Sequence, residues 1–165
     1  MTIHSDIIDS IKSAGSDYFL SVPCKLLAEM IEVLEADDGV DYMPCTREEE
    51  GMGLSAGAAL AGRLPTILMQ DTGIGNSVNA LTTLNKYYNL PLIMVISYRG
   101  TPGEPVGAQG GMAIITEELL QTMRIPLLKC HRKEDIADIA AMANHAKVIE
   151  GPVAISLDFN LMGGN

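Results

Sequence analysis

The sequence predicts an α/β fold with a mostly parallel sheet of about six strands. Three observations carry that prediction. Six short aliphatic runs, at residues 18–22, 40–43, 66–70, 92–97, 127–129 and 153–157, are near-continuously apolar, as strands covered on both faces are. Stretches between them set apolar residues at helical spacing. Pro65, Pro91, Pro126 and Pro152 each stand at the threshold of a run, where a helix has ended and a strand can begin.

The elements follow in order. The run at 18–22 leads through Pro23-Cys24-Lys25 into a helical stripe of Leu26, Leu27, Met30, Ile31, Val33 and Leu34. After the run at 40–43 comes Thr46-Arg47-Glu48-Glu49-Glu50. There Thr46 and Glu49 have the spacing of a capping box, and the acidic residues suit a helix start. The helix predicted there continues through Leu54, Ala58 and Ala61. It contains Gly51, Gly53, Ser55, Ala56 and Gly57, a poor helical composition that is tolerated where a neighbouring helix or a subunit must approach closely. The run at 66–70 ends in Asp71-Thr72-Gly73-Ile74-Gly75-Asn76, which opens a helix through Val78, Leu81 and Leu84. The run at 92–97 gives way to a long segment, 98–111, holding Gly100, Pro102, Gly103, Pro105, Gly107, Gly110 and Gly111. Its length fits either a lid or binding loop, or an ordinary surface connection. Beyond the run at 127–129, Ile136, Ile139, Ala140 and Ala143 form a last helical stripe before the strand at 153–157.

With 165 residues the chain reads as a single domain, 1–165, large enough to fold without a disulfide or metal staple. A composition of 47% hydrophobic and 19% charged residues excludes a disordered or fibrous chain. Twenty-one Asp and Glu against 11 Lys and Arg give a formal charge of −10, which repels phosphate backbones and argues against nucleic acid as a partner. The three cysteines, Cys24, Cys45 and Cys130, are far apart and form no C-x-x-C, a pattern that suits the reducing cytoplasm. His4 and Asp6 interrupt any leader-like start, and Asn85, Lys86, Asn89 and Pro91 break the best membrane-span candidate, so no membrane association is expected.

In a parallel α/β sheet, ligands gather beyond the carboxyl ends of the strands, in the turns that lead into helices. The residues that stand out chemically lie in those turns. At 71–76, two glycines let backbone approach a ligand, and the helix start offers free N–H groups; the same string also serves as a plain tight turn. It is not G-x-G-x-x-G, since Val78 stands where the third glycine belongs, and no P-loop occurs. His4, His131 and His145 have no metal-ligand spacing, and no G-x-S-x-G nucleophile elbow exists. Capping accounts for Glu49 and the helix dipole adequately for Glu50, which leaves Glu48 the acidic residue least accounted for by helix structure.

Four strings resemble a known family. Ser-Val-Pro-Cys-Lys-Leu-Leu (21–27), Arg-Glu-Glu-Glu-Gly-Met-Gly-Leu-Ser-Ala-Gly (47–57), Met-Gln-Asp-Thr-Gly-Ile-Gly-Asn-Ser-Val-Asn-Ala-Leu (69–81) and Leu-Ile-Met-Val-Ile-Ser-Tyr-Arg-Gly (92–100) are similar to the pyrimidine-binding domain of thiamine diphosphate enzymes. More narrowly, they resemble the branch of sulfopyruvate and phosphonopyruvate decarboxylases. The similarity runs in order over nearly the whole chain and implies a three-layer fold of the pyrimidine-domain type. It also implies the alpha half of a divided enzyme, with thiamine diphosphate lying between two chains.

The resemblance assigns roles by position. Counting back from Leu54-Ser55-Ala56-Gly57 puts the family's cofactor-binding, catalytic glutamate at Glu48, with Glu49 and Glu50 as the alternatives of register. A carboxyl group there shares a proton with a ring nitrogen of the aminopyrimidine. Gly73, Ile74, Gly75 and Asn76 match the turn beside the cofactor. Cys24 and Lys25 stand where relatives often carry an acidic substrate-side residue. With Arg47, Arg99 and Gln109 they are the candidates for holding a small anionic 2-oxoacid. The Gly-Asp-Gly string that binds diphosphate and Mg²⁺ is missing, Asp37-Asp38-Gly39 being the nearest approach. The resemblance therefore puts Mg²⁺ on a beta subunit, with homo-oligomer contacts besides. The reaction it implies is decarboxylation of 3-sulfopyruvate to sulfoacetaldehyde, a step in one route to coenzyme M. Phosphonopyruvate or another 2-oxoacid is the alternative substrate, and a non-catalytic stabilising partner the alternative role.

Overall fold

The computed structural model describes residues 2–100 and 104–163. Six strands, β1 (Tyr18–Ser21), β2 (Asp41–Pro44), β3 (Pro65–Gln70), β4 (Leu92–Tyr98), β5 (Leu127–Cys130) and β6 (Pro152–Asp158), form one sheet in the order β2-β1-β3-β4-β6-β5. Every pairing is parallel. Six α-helices connect them: α1 (Ile3–Ser13), α2 (Ala28–Glu35), α3 (Glu48–Leu60), α4 (Thr72–Ala80), α5 (Gly110–Thr122) and α6 (Ile139–Val148). A π-helical turn, Leu81–Asn85, extends α4, and short 3₁₀ turns precede α2, α5 and α6.

The period-2 alternation of the strands divides the core in two. Phe19, Leu68, Ile93, Val95, Val153, Ile155 and Leu157 face one side and pack against α1, α2 and α6. Leu20, Ile67, Met69, Leu92, Met94, Ile96 and Ala154 face the other and pack against α3, α4 and α5. The result is the expected α/β architecture in three layers, with a wholly parallel sheet. The two outer strands depart from the expectation of burial on both faces. Three of the four residues of β2 are exposed and β5 is only partly covered, because an edge strand lacks a neighbour on one flank.

Two helices are additions to the sequence reading: α1, begun by a Thr2–Ser5 capping box, and α5, which takes up the end of the predicted long segment. That segment therefore shortens to the stretch between Tyr98 and the turn at Gly107–Gln109, of which Pro102 and Gly103 lie outside the described residues.

The crowding anticipated along the small-residue helix comes from the sheet beneath it. A Cβ on Gly51 would lie 2.3 Å from Cδ1 of Ile67 in β3, so glycine lets α3 settle onto the strands. Gly53 and Gly57 face outward and meet nothing within 4 Å.

Topology places the site. The connection leaving β1 goes to α2 on one face, and that leaving its neighbour β3 goes to α4 on the other. Divergence of adjacent connections opens a crevice at the carboxyl ends of these two strands.

Candidate active site

Glu48 is the first residue of α3 and is 9% exposed. Its Oε2 accepts a hydrogen bond from Nδ2 of Asn76 in α4 at 3.0 Å. Its carboxyl lies directly over Gly73, where a Cβ would fall 2.5 Å from Cγ and 2.7 Å from Oε1 of Glu48. The first turns of α3 and α4 thus build a cradle for one carboxyl group, and only glycine at 73 leaves it room. Oε1 takes no hydrogen bond from the described residues, so one carboxyl oxygen is left to serve a ligand. Ser77 Oγ, bonded to the Gly73 carbonyl at 2.8 Å, steadies the turn below.

The neighbouring acids have other tasks, and the cap is displaced by one residue from the expected one. Arg47 is the N-cap, and the third helical residue, Glu50, reaches back to accept from the backbone N–H of Thr46 at 2.8 Å and from its hydroxyl at 2.7 Å. Those donors hold the Glu50 carboxyl below its ordinary range. Glu49, expected to pair with Thr46, pairs instead with exposed Arg47 at 3.1 Å. Extended backbone through Arg47 starts the helix one position later than the spacing suggests, which leaves Glu48 alone facing inward.

Of the predicted cofactor-side residues, Glu48, Gly73 and Asn76 come together. Gly75 faces outward near Met112, and Ile74 is turned fully into the core with Met52 and Leu81, so its side chain faces no ligand. Three of the substrate-side candidates meet on Gln70, at the end of β3. Its Oε1 accepts from Nη1 of Arg99 at 3.4 Å and from the Cys24 thiol at 3.6 Å; its Nε2 donates to Oε1 of Gln109 at 2.7 Å and to the Thr72 hydroxyl at 2.8 Å. Cys24 also lies 3.2 Å from the Ser97 hydroxyl. Lys25 is exposed and lines a cavity of about 280 Å³ together with Arg99, His4, Val106 and Phe159. Arg47 stands apart from this group, on the outer side of α3 with Glu49.

Arg99 is largely buried and bound by Glu104 through both oxygens, Nε at 2.5 Å and Nη2 at 2.7 Å, with the ring of Phe159 5.8 Å from its centre. The bidentate contact holds the Glu104 carboxyl down at about 2 and raises the guanidinium further. Asp71, next to Gln70, is fully buried; its Oδ2 accepts from the Arg99 N–H and its Oδ1 from the Thr72 N–H. Burial pushes its carboxyl up to about 6, against the pull of those two donors. Burial likewise pushes the Cys45 thiol to about 11 and Cys130 to about 12, leaving both unreactive.

Gln70, Asp71, Ser97 and Glu104 are absent from the sequence-level set. A polar Gln-Asp pair closing an otherwise aliphatic run was the available signal, since such residues at a strand's carboxyl end face the crevice. Among the described residues, no group of three or more His, Cys, Asp and Glu has a metal-holding arrangement. Asp37-Asp38-Gly39 lies in the turn entering β2, at the amino end of the strands and so opposite the site, where Asp37 bonds the Gly39 N–H at 2.8 Å and pairs with Lys12. It serves that turn.

The chain is similar to known proteins over most of its length. Residues 1–119 match the family described as thiamine pyrophosphate enzyme, N-terminal TPP binding domain. The chain is 46% identical over 116 residues to sulfopyruvate decarboxylase subunit alpha of Methanothermobacter thermautotrophicus, covering 70% of each chain. It is 37% identical to the protein of that name from Methanococcus maripaludis, over 96% of this chain and 95% of the other. It is 32% identical to phosphonopyruvate decarboxylase of Streptomyces viridochromogenes, over 70% of this chain but 30% of that longer protein. With a buried glutamate at the head of α3, a glycine cradle beneath it and relatives matched almost end to end, the chain belongs to the thiamine pyrophosphate enzymes, through their N-terminal TPP binding domain.

Proposed function

We propose that this chain is the pyrimidine-side subunit of a two-chain thiamine diphosphate-dependent decarboxylase that converts 3-sulfopyruvate to sulfoacetaldehyde and CO₂. The observation that carries the proposal is Glu48: buried, oriented by Asn76, cradled over Gly73, with one carboxyl oxygen that takes no hydrogen bond from the described residues. That donor set fits an aminopyrimidine, whose ring nitrogen needs a single proton-sharing carboxyl in a dry cleft. Thiamine diphosphate, when bound, supplies the electron sink that takes up the pair released as CO₂ leaves.

The remaining work falls to this chain's own groups. Glu48 holds a proton at Oε1 toward the ring nitrogen, and Asn76 keeps that oxygen aimed. Gly73 leaves the carboxyl its space, and the backbone of Gly75 borders the same turn. On the substrate side, Lys25 supplies exposed positive charge, while Arg99, already paired with Glu104, lines the same cavity with its remaining N–H groups. Those remaining N–H groups of Arg99 suit a carboxylate oxygen, and Lys25 suits a sulfonate as a point charge. Cys24 and Gln109 border the same crevice through Gln70.

The diphosphate and Mg²⁺ belong to a beta subunit in this reading, since this sequence lacks the Gly-Asp-Gly signature. Sulfopyruvate is preferred to phosphonopyruvate because relatives named for the former align over most of both chains. The test is to purify the chain with its partner and assay CO₂ and aldehyde release from both oxoacids, with and without Mg²⁺ and cofactor. Sulfopyruvate should turn over faster, and Glu48→Gln should lower turnover by ~10²–10⁴-fold, the span of positioned acid–base catalysis. Near-normal turnover in that variant would show a stabilising rather than catalytic subunit.

A further inference from the structure

We infer that Gln70 is a positioning residue that sets substrate selectivity, by fixing Arg99 and Gln109 against the turn that cradles Glu48. The inference rests on the decarboxylase reading for its substrate and on hydrogen-bond geometry for its mechanism. A glutamine amide offers two N–H donors and one oxygen with two lone pairs, and here all four positions are used. Its orientation is fixed chemically. A guanidinium only donates, so the side facing Arg99 must be the oxygen, which directs both N–H groups to Thr72 and Gln109.

The four partners come from four parts of the chain: Cys24 after β1, Thr72 in the first turn of α4, Arg99 after β4 and Gln109 ahead of α5. Gln70 itself ends β3 and pairs in register with Ser97 of β4, so its own backbone is held against that strand. A central amide therefore links the guanidinium that lines the Lys25 cavity to the α4 turn, and the next residue of that turn, Gly73, lies against the Glu48 carboxyl. The distance between the anionic head of a substrate and the reacting centre is then set by this side chain. Neither glutamate nor methionine can replace it. Glutamate keeps acceptors for Arg99 but has no N–H for Thr72 and Gln109, and it competes with Glu104 for the guanidinium. Methionine keeps the length and loses every polar contact.

The experiment uses the reconstituted two-chain enzyme with Gln70→Glu and Gln70→Met. The ratio of kcat/KM for 3-sulfopyruvate to that for pyruvate, which lacks the second anion, should fall at least tenfold in both variants. The change should lie in KM for the sulfonate substrate, while the half-saturating concentration of thiamine diphosphate stays within twofold. Hydrogen exchange over residues 104–112 should quicken at least tenfold in Gln70→Met, a readout that needs no turnover. An unchanged selectivity ratio, unchanged exchange over that segment, or cofactor affinity falling in step with KM would each overturn the assignment. Should Gln70→Met fail to fold, the same readings on Gln70→Glu decide it. A wild-type pair inactive on every 2-oxoacid would overturn the decarboxylase reading instead, leaving the exchange result to judge the positioning role.

Discussion

Glu48 and Gly73 are separated by 25 positions in sequence and by one van der Waals contact in space, and neither explains itself without the other. Gly73→Ala would put a methyl group where the Glu48 carboxyl now lies. The expected result is at least a tenfold loss of decarboxylation with weaker cofactor binding. The fold should be intact, because alanine favours helix by ~1 kcal/mol over glycine. Gly75→Ala is the control: its Cβ would meet only the flexible end of Met112, at 3.3 Å, and activity should stay within about threefold of wild type, the loss expected from so small an adjustment. Steady-state kinetics of the two variants side by side check this. Asp71 gives a second prediction at the same scale. Its folded carboxyl is raised to about 6, so between pH 4 and 6 the folded chain holds a proton that the unfolded chain has released. Asp71 therefore favours the folded state most below pH ~4, and that contribution is lost as pH rises through 6. Urea midpoints measured from pH 4 to 6.5 should show wild type losing stability relative to Asp71→Asn over that interval. A gap between them that is constant with pH would refute it.

Among the elements, α3 shows most clearly what sequence spacing could and could not settle. A capping box was legible from Thr46 and the acidic run, but its register was not, because three consecutive glutamates offer three candidate partners. The extended conformation of Arg47 decides between them and hands the cap to Glu50. Thr46→Ala, which removes the hydroxyl that donates to Glu50, should accordingly lower the thermal midpoint. Glu50→Ala should lower the thermal midpoint, and Glu49→Ala should leave it unchanged, which thermal melts of the three variants check. The α5 helix was not legible for a different reason. Ile114 and Ile115 are exposed while Thr116 and Leu120 are buried, so its apolar residues do not mark its inner face. The strands, by contrast, were readable to within a residue or two, since four of them are buried on both faces and their side chains are mostly aliphatic.

At the scale of the molecule, the cofactor-side cradle followed from the strings at 47–57 and 69–81, whereas the polar hub around Gln70 did not. It assembles residues from the ends of three strands, and their adjacency depends on a strand order that periodicity does not encode. That order has its own consequence for how the chain is made. Of the six described strands the latest in the sequence, β6, does not join an edge but slots between β4 and β5, and among the described residues β5 pairs with β6 alone. On a ribosome, the sheet therefore waits with a bare flank on β4 and an unattached β5 until residues 152–158 have emerged. Such a nascent chain is exposed to mispairing and to chaperone capture until that strand is free.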